Sequence, residues 1–172
     1  TPPACPSPIG ACCNPNGLCQ TLVEGSCLAP KLFQGGGSVC TPNPCPQPPR
    51  PPNDLCENAQ WIADSVTITS NNYNALTERA AECTHSGADV WYKYRPNSSG
   101  TVIVTTDNMH VPAGGATSID TALSVYDACD GTELACDDDA GDAPELSSLL
   151  SVELTAGSTY FIRVAGFGDE GQ

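Results

Sequence analysis

The chain has 172 residues, 40% of them hydrophobic, and sets 20 Asp and Glu against 6 Lys and Arg for a net charge of −14. That length allows one domain plus a small module, with enough apolar residues for one core. So acidic a chain repels phosphate backbones, which argues against nucleic acid as a partner, and no run approaches the roughly 18 apolar residues of a membrane-spanning helix.

Eleven cysteines and a single Met argue for an oxidising compartment, extracellular or at a cell surface. The start at Thr1-Pro2-Pro3 reads as that of a mature or excised product of a secreted precursor. Residues 1–45 hold Cys5, Cys12, Cys13, Cys19, Cys27, Cys40 and Cys45 among Gly and Pro, with almost no regular apolar pattern. Such a segment cannot fold on its core alone, so crosslinks must hold it. Adjacent Cys12 and Cys13 are expected to point opposite ways and reach different partners. Zinc is disfavoured, because the segment has neither a CxxC pair nor a His. Seven is odd, so one thiol is free, pairs with the next domain, or pairs with another chain.

Residues 46–52 (PQPPRPP) predict a Pro-rich, extended linker. Residues 1–52 carry only Glu24 against Lys31 and Arg50, so the remainder holds all of the excess negative charge. Residues 53–172 read as all-β. Asn53 or Asp54 can cap a short helical turn through Gln60. Val66 and Ile68 alternate with Ser65, Thr67 and Thr69, as in a strand. In Asp89 to Tyr94, Val90, Tyr92 and Tyr94 share one face and are assigned to the core, because Trp91 shares the other face with the cations Lys93 and Arg95. Pro96 to Gly100 is a turn, and Thr101 to Thr106 the next strand.

Thr121, Leu123 and Val125 alternate with Ala122, Ser124 and Tyr126 in the central hairpin, with Asp130-Gly131 as its turn. Cys129 and Cys136 flank that turn closely enough to bond, and a bridge from Cys56 to Cys83 would contribute about 3–4 kcal/mol in the chain-entropy model. Asp137, Asp138 and Asp139 follow the hairpin. Leu150, Val152 and Leu154 mark another strand, and the last has Tyr160, Ile162 and Val164 inward with Phe161 and Arg163 outward. Short strands at regular intervals indicate a β-sandwich. Roughly a dozen inward side chains, at about 1.5–3 kcal/mol each, would drive its burial.

A resemblance joins these pieces. Pro52 to Ala59, Asp89 to Tyr94, Gly100-Thr101-Val102, Asp120 to Asp127, Leu134 to Asp139 and Thr159 to Gly166 resemble the bacterial pre-peptidase C-terminal domain, a relative of collagenase collagen-binding domains. Gly10-Ala11-Cys12-Cys13, Gly17-Leu18-Cys19 and Gly35-Gly36-Gly37 resemble a GACC-type Cys-rich repeat of secreted bacterial proteins. The resemblance implies a jelly-roll-like, non-catalytic sandwich over 53–172, often appended to secreted hydrolases. It also implies calcium where an entering Asn-Asp meets acidic loops, here Asn53 and Asp54 with Asp137, Asp138 and Asp139, and Asp127, Asp130 and Asp142 nearby; hard oxygen donors suit that ion. The family pattern closes with one more strand, whereas this sequence ends at Gly168-Asp169-Glu170-Gly171-Gln172. An incomplete edge is a template for another chain.

Asn97-Ser98-Ser99 is a glycosylation sequon in a turn, and the Pro-rich segments suit O-glycans. Trp61 is expected to be packed near the entry turn and Trp91 to cover the far sheet or an interface, in preference to a joint sugar-stacking platform. No enzyme is expected. His85 and His110 are the only histidines, Ser86 is merely beside His85, and no GxSxG, HExxH or paired-Glu pattern occurs. The favoured reading is a non-catalytic extracellular assembly module, a subunit of a secreted or surface filament whose partners are copies of itself or neighbouring domains. The alternative is an accessory domain of a secreted hydrolase that binds collagen-like or polysaccharide substrate.

Overall fold

A computed structural model describes residues 6–83, 87–106, 120–139 and 146–166. The chain divides into two compact units, Thr1–Pro49 and Arg50–Gln172. All regular structure among the described residues is β or short 3-10 turn, and the architecture is a β-sandwich with a disulfide-rich module.

In the first unit β1 (Ile9–Cys13) lies between β2 (Cys19–Val23) and β3 (Leu32–Phe33). Successive side chains of a strand point to opposite faces, and Cys12 and Cys13 accordingly reach Cys27 and Cys45; the third bridge joins Cys19 to Cys40. Cys5 lies outside the described residues. A Cβ at Gly10 would overlap the Gly35 carbonyl oxygen. The GACC stretch therefore needs its glycine for close approach to the Gly35–Gly37 turn, where φ is 101° at Gly35 and 82° at Gly37.

The second unit begins with β4 (Gln60–Ile62), β5 (Asp89–Tyr94) and β6 (Gly100–Thr105), then β7 (Thr121–Tyr126), β8 (Glu133–Asp137), β9 (Leu149–Leu154) and β10 (Tyr160–Gly166). One sheet runs β4-β5-β10-β7-β8, with β4 parallel to β5 and the other pairs antiparallel; β6 and β9 form the second sheet. Val90, Tyr92, Tyr94, Leu123, Val125, Tyr160 and Ile162 from the first meet Leu150, Val152 and Leu154 from the second in the core.

Several expectations are corrected. Val66 and Ile68 form no strand and are 50% and 40% exposed; Ser65, with φ 56°, turns the chain where the strand would start. The 3-10 turn Cys56–Asn58 starts at Leu55 without a side-chain cap, because Asn53 and Asp54 are bonded elsewhere. Cys129 does not bond Cys136, nor Cys56 Cys83; the bridges are Cys56–Cys129 and Cys83–Cys136. Cys136 pairs with Ser124 inside the ladder, three residues past the last pair, Tyr126–Glu133. That is roughly 10 Å of strand, whereas a bridge needs Cα atoms within about 7 Å. The intervening loop spans six residues, and its Gly131 has no positive φ. A Cβ there would overlap Asp127 Oδ1, which accepts the Thr132 N–H at 2.6 Å, so space and not φ requires glycine.

Candidate functional site

The strand registers place two rows of side chains on the outer face of the five-stranded sheet. One row is Trp91–Arg163–Ser124–Cys136; its neighbour is Trp61–Lys93–Phe161–Tyr126–Glu133. The first row is sealed. Trp91 and Arg163 have no exposed surface; Arg163 lies on the outer face, as the alternation implied, but is covered rather than solvated. Its Nε donates to Asp89 Oδ2 at 2.7 Å, while Trp91 Nε1 donates to Asp89 Oδ1 at 3.1 Å. Burial pushes the Asp89 carboxyl above its ordinary range, against the opposing pull of Arg163. Nη1 and Nη2 of Arg163 have no hydrogen-bond partner among the described residues.

The seal comes from chain segments that the sequence pattern left as loops. Asn53 clamps Trp91: its carbonyl accepts the Trp91 N–H at 2.8 Å and its amide donates to the Trp91 carbonyl at 3.0 Å. Asp54 Oδ1 accepts the Leu76 N–H at 2.6 Å, and Glu78 accepts the Cys56 N–H at 2.6 Å. Arg79 lies over the Tyr126 ring, 4.3 Å from its centroid, and donates to the carbonyls of Cys129 and Gly131, each at 2.8 Å. Tyr126 donates its hydroxyl to Glu133 at 2.7 Å; burial, then that bond, push it up to about 12. Glu78, Arg79, Trp91, Cys129 and Asp130 line a shallow cleft of about 360 Å³.

The second row opens toward the β4 edge. Trp61 is 56% exposed, with Lys93 Nζ 5.2 Å from its ring centroid, and Phe161 is half-buried beside Lys93. An exposed indole next to a cation is a surface for stacking, and the sheet backbone holds it rigid. A platform made jointly by Trp61 and Trp91 does not exist, because Trp91 is enclosed. Registration of β4 with β5 brings Lys93 to Trp61, and that of β10 with β5 sets Phe161 on the far side of Lys93; only the alternation in Asp89–Tyr94 and Tyr160–Val164 hinted at it.

The proposed calcium donors are not brought together. Asn53 and Asp54 sit beside β5, whereas Asp137 ends β8 at the opposite edge of the sheet. Asn53 and Asp54 are used as described, Asp54 also pairing with Arg50 at 3.7 Å, and Asp137 Oδ2 accepts the Leu149 N–H at 2.8 Å. Asp138 and Asp139 follow at the strand end. Among the described residues no group of three or more His, Cys, Asp or Glu side chains is placed to hold a metal ion. Asn97 lies in an exposed turn and donates to Asp64 Oδ2 at 3.0 Å. His85, Ser86, His110, Asp142 and the segment 168–172 lie outside the described residues. No helix among the described residues is long and apolar enough to cross a membrane.

Residues 52–169 match a family model described as galactose binding domain-like and associated with T9SS, a bacterial system for secreted proteins. No curated protein and no solved structure matches the chain.

Proposed function

Because the chain belongs to the galactose-binding-domain-like family, we propose that it is a non-catalytic, secreted carbohydrate-binding module that serves a larger extracellular protein. Trp61 carries this reading: an indole more than half exposed on the edge strand of a rigid sheet, with Lys93 beside it and Phe161 one strand further on. The C–H face of a pyranose is apolar and stacks on such a ring, while the surrounding polar groups orient its hydroxyls. The resemblance to pre-peptidase C-terminal and collagen-binding sandwiches makes insoluble collagen the natural competitor for the same face. The filament reading rested on the odd cysteine count, the missing closing strand, the two-module layout and the absence of a catalytic set; Cys5 and residues 168–172 lie outside the described residues, and nothing in the described ones supports filament assembly.

The test is retention on insoluble polysaccharide and on collagen, with Trp61→Ala alongside the parent. Retention on polysaccharide that Trp61→Ala loses, with an unchanged melting temperature, supports the reading. Retention on collagen alone, or retention that ignores Trp61, rejects it.

A further inference from the structure

Resting on that reading, we infer that the sugar taken by the Trp61 face is anionic: a pyranose polymer bearing carboxylate or sulfate groups. The chain has only six Lys and Arg. In the sandwich unit Arg50 pairs with Asp54, Arg163 is sealed against Asp89, and Arg79 spends its guanidinium on the Cys129 and Gly131 carbonyls. Lys93 and Arg95 are different. Neither has a carboxylate within ion-pair distance among the described residues, although acids outnumber bases more than threefold.

Lys93 lies in the exposed aromatic row and Arg95 just beyond its end. Lys93 neighbours Trp61 across β4 and β5. Arg95 is exposed and follows the last residue of β5, with its guanidinium at the β9–β10 turn, where a Cβ on Gly157 would lie 3.8 Å from Nη2; a polymer stacked on Trp61 can run on to it. Asp64 accepts from the Tyr94 hydroxyl and from Asn97, and Glu133 from Tyr126; neither forms an ion pair with Lys93 or Arg95. Cations left uncommitted in so acidic a protein form a local site for negative charge. At physiological salt the screening length is about 8 Å, so this pair is felt by a docked ligand more than the distant net charge is. Arg95 presents a planar fork suited to carboxylate or sulfate, and Lys93 a point charge beside the stacked ring.

The experiment measures binding of the full chain to polygalacturonate, to a sulfated galactan and to neutral galactan, in chelator, with Lys93→Gln, Arg95→Gln and Trp61→Ala. The expected result is binding to one or both anionic polymers at least about tenfold tighter than to neutral galactan, and a loss of about tenfold with each cation variant at unchanged melting temperature. Carboxylate and sulfate are distinguished by which anionic polymer binds. Equal or tighter binding to neutral galactan, lost only in Trp61→Ala, overturns the anionic assignment and leaves the carbohydrate reading standing. Binding to none of the three overturns both.

Discussion

Residues 6–49 bury Ala11, Cys12, Cys13 and Cys45 but leave Ile9, Leu18, Val23, Leu28, Leu32 and Val39 exposed, whereas the sandwich closes ten large apolar side chains between its sheets. Among the described residues the first unit has three bridges for its short span, and the second has two for a much longer one. Crosslinks thus stand in for burial where a chain is too short to make a core. In the sandwich they do something else. Cys56–Cys129 and Cys83–Cys136 fasten loops over the outer face, where Asp89 and Arg163 are sealed and hydrophobic burial alone gives little hold.

Reduction separates the two units most sharply. Bridges spanning 15, 21 and 32 residues each contribute about 3–4 kcal/mol in the chain-entropy model, without being additive. With dithiothreitol, amide exchange is expected to lose all protection in β1 and β2 while β7 and β10 stay protected. Protection surviving in β1 would mean that the module has a core of its own. Next comes the sealed ion pair. Asp89→Asn leaves Arg163 buried with its charge uncompensated and is expected to cost about 3–5 kcal/mol in urea unfolding; a loss under 1 kcal/mol would show that solvent reaches the guanidinium. Leu123→Ala, in the core between the sheets, is expected to cost about 3 kcal/mol through lost burial and the cavity left behind, and to leave exchange in β1 and β2 untouched. Faster exchange there would show that the two units unfold together.

The inner core was legible because alternation is local: Val90, Tyr92 and Tyr94, or Leu150, Val152 and Leu154, reveal their shared face without knowledge of the partner strand. The outer face was not. Charge on Arg163 and Lys93 argues for solvent in both cases, yet one is enclosed and the other is half-buried beside Trp61, and the difference lies in Asp89, 74 residues from Arg163. The cysteine pairs failed for the same reason. Nearness along the chain favoured Cys129 with Cys136, but the ladder places Cys136 against Ser124 and leaves the loop cysteine to Cys56. In the first unit the opposite exits of Cys12 and Cys13 were legible, since they follow from a single strand. Trp61 was expected to pack near the entry turn rather than to stack on a ligand; that it stands 56% exposed beside Lys93 follows from the edge position and register of β4, which the sequence did not show. Val66 and Ile68 show the converse error, a local alternation that a left-handed Ser65 overrides.

The smallest effect concerns the acidic run that ends β8, beside the Cys83–Cys136 bridge and outside the core. Burial, then Asp139 and Asp137, hold the Asp138 carboxyl above its ordinary range. The folded state therefore binds this proton more tightly than the unfolded chain does. Its favourable contribution is complete below the unfolded pKa, near 3.9, and is lost as pH rises from there through the raised folded value. Asp138→Asn removes that loss. The expected outcome, in chelator, is a gain of a few tenths of a kcal/mol at pH 7 and none at pH 3, read from melting temperatures at the two pH values. Calcium gives the same variant a second use. If carboxylates of this run hold the ion, Asp138→Asn lowers the melting temperature in millimolar calcium while raising it in chelator, and a gain of the same size in both media would leave the run as a solvated, self-repelling strand end.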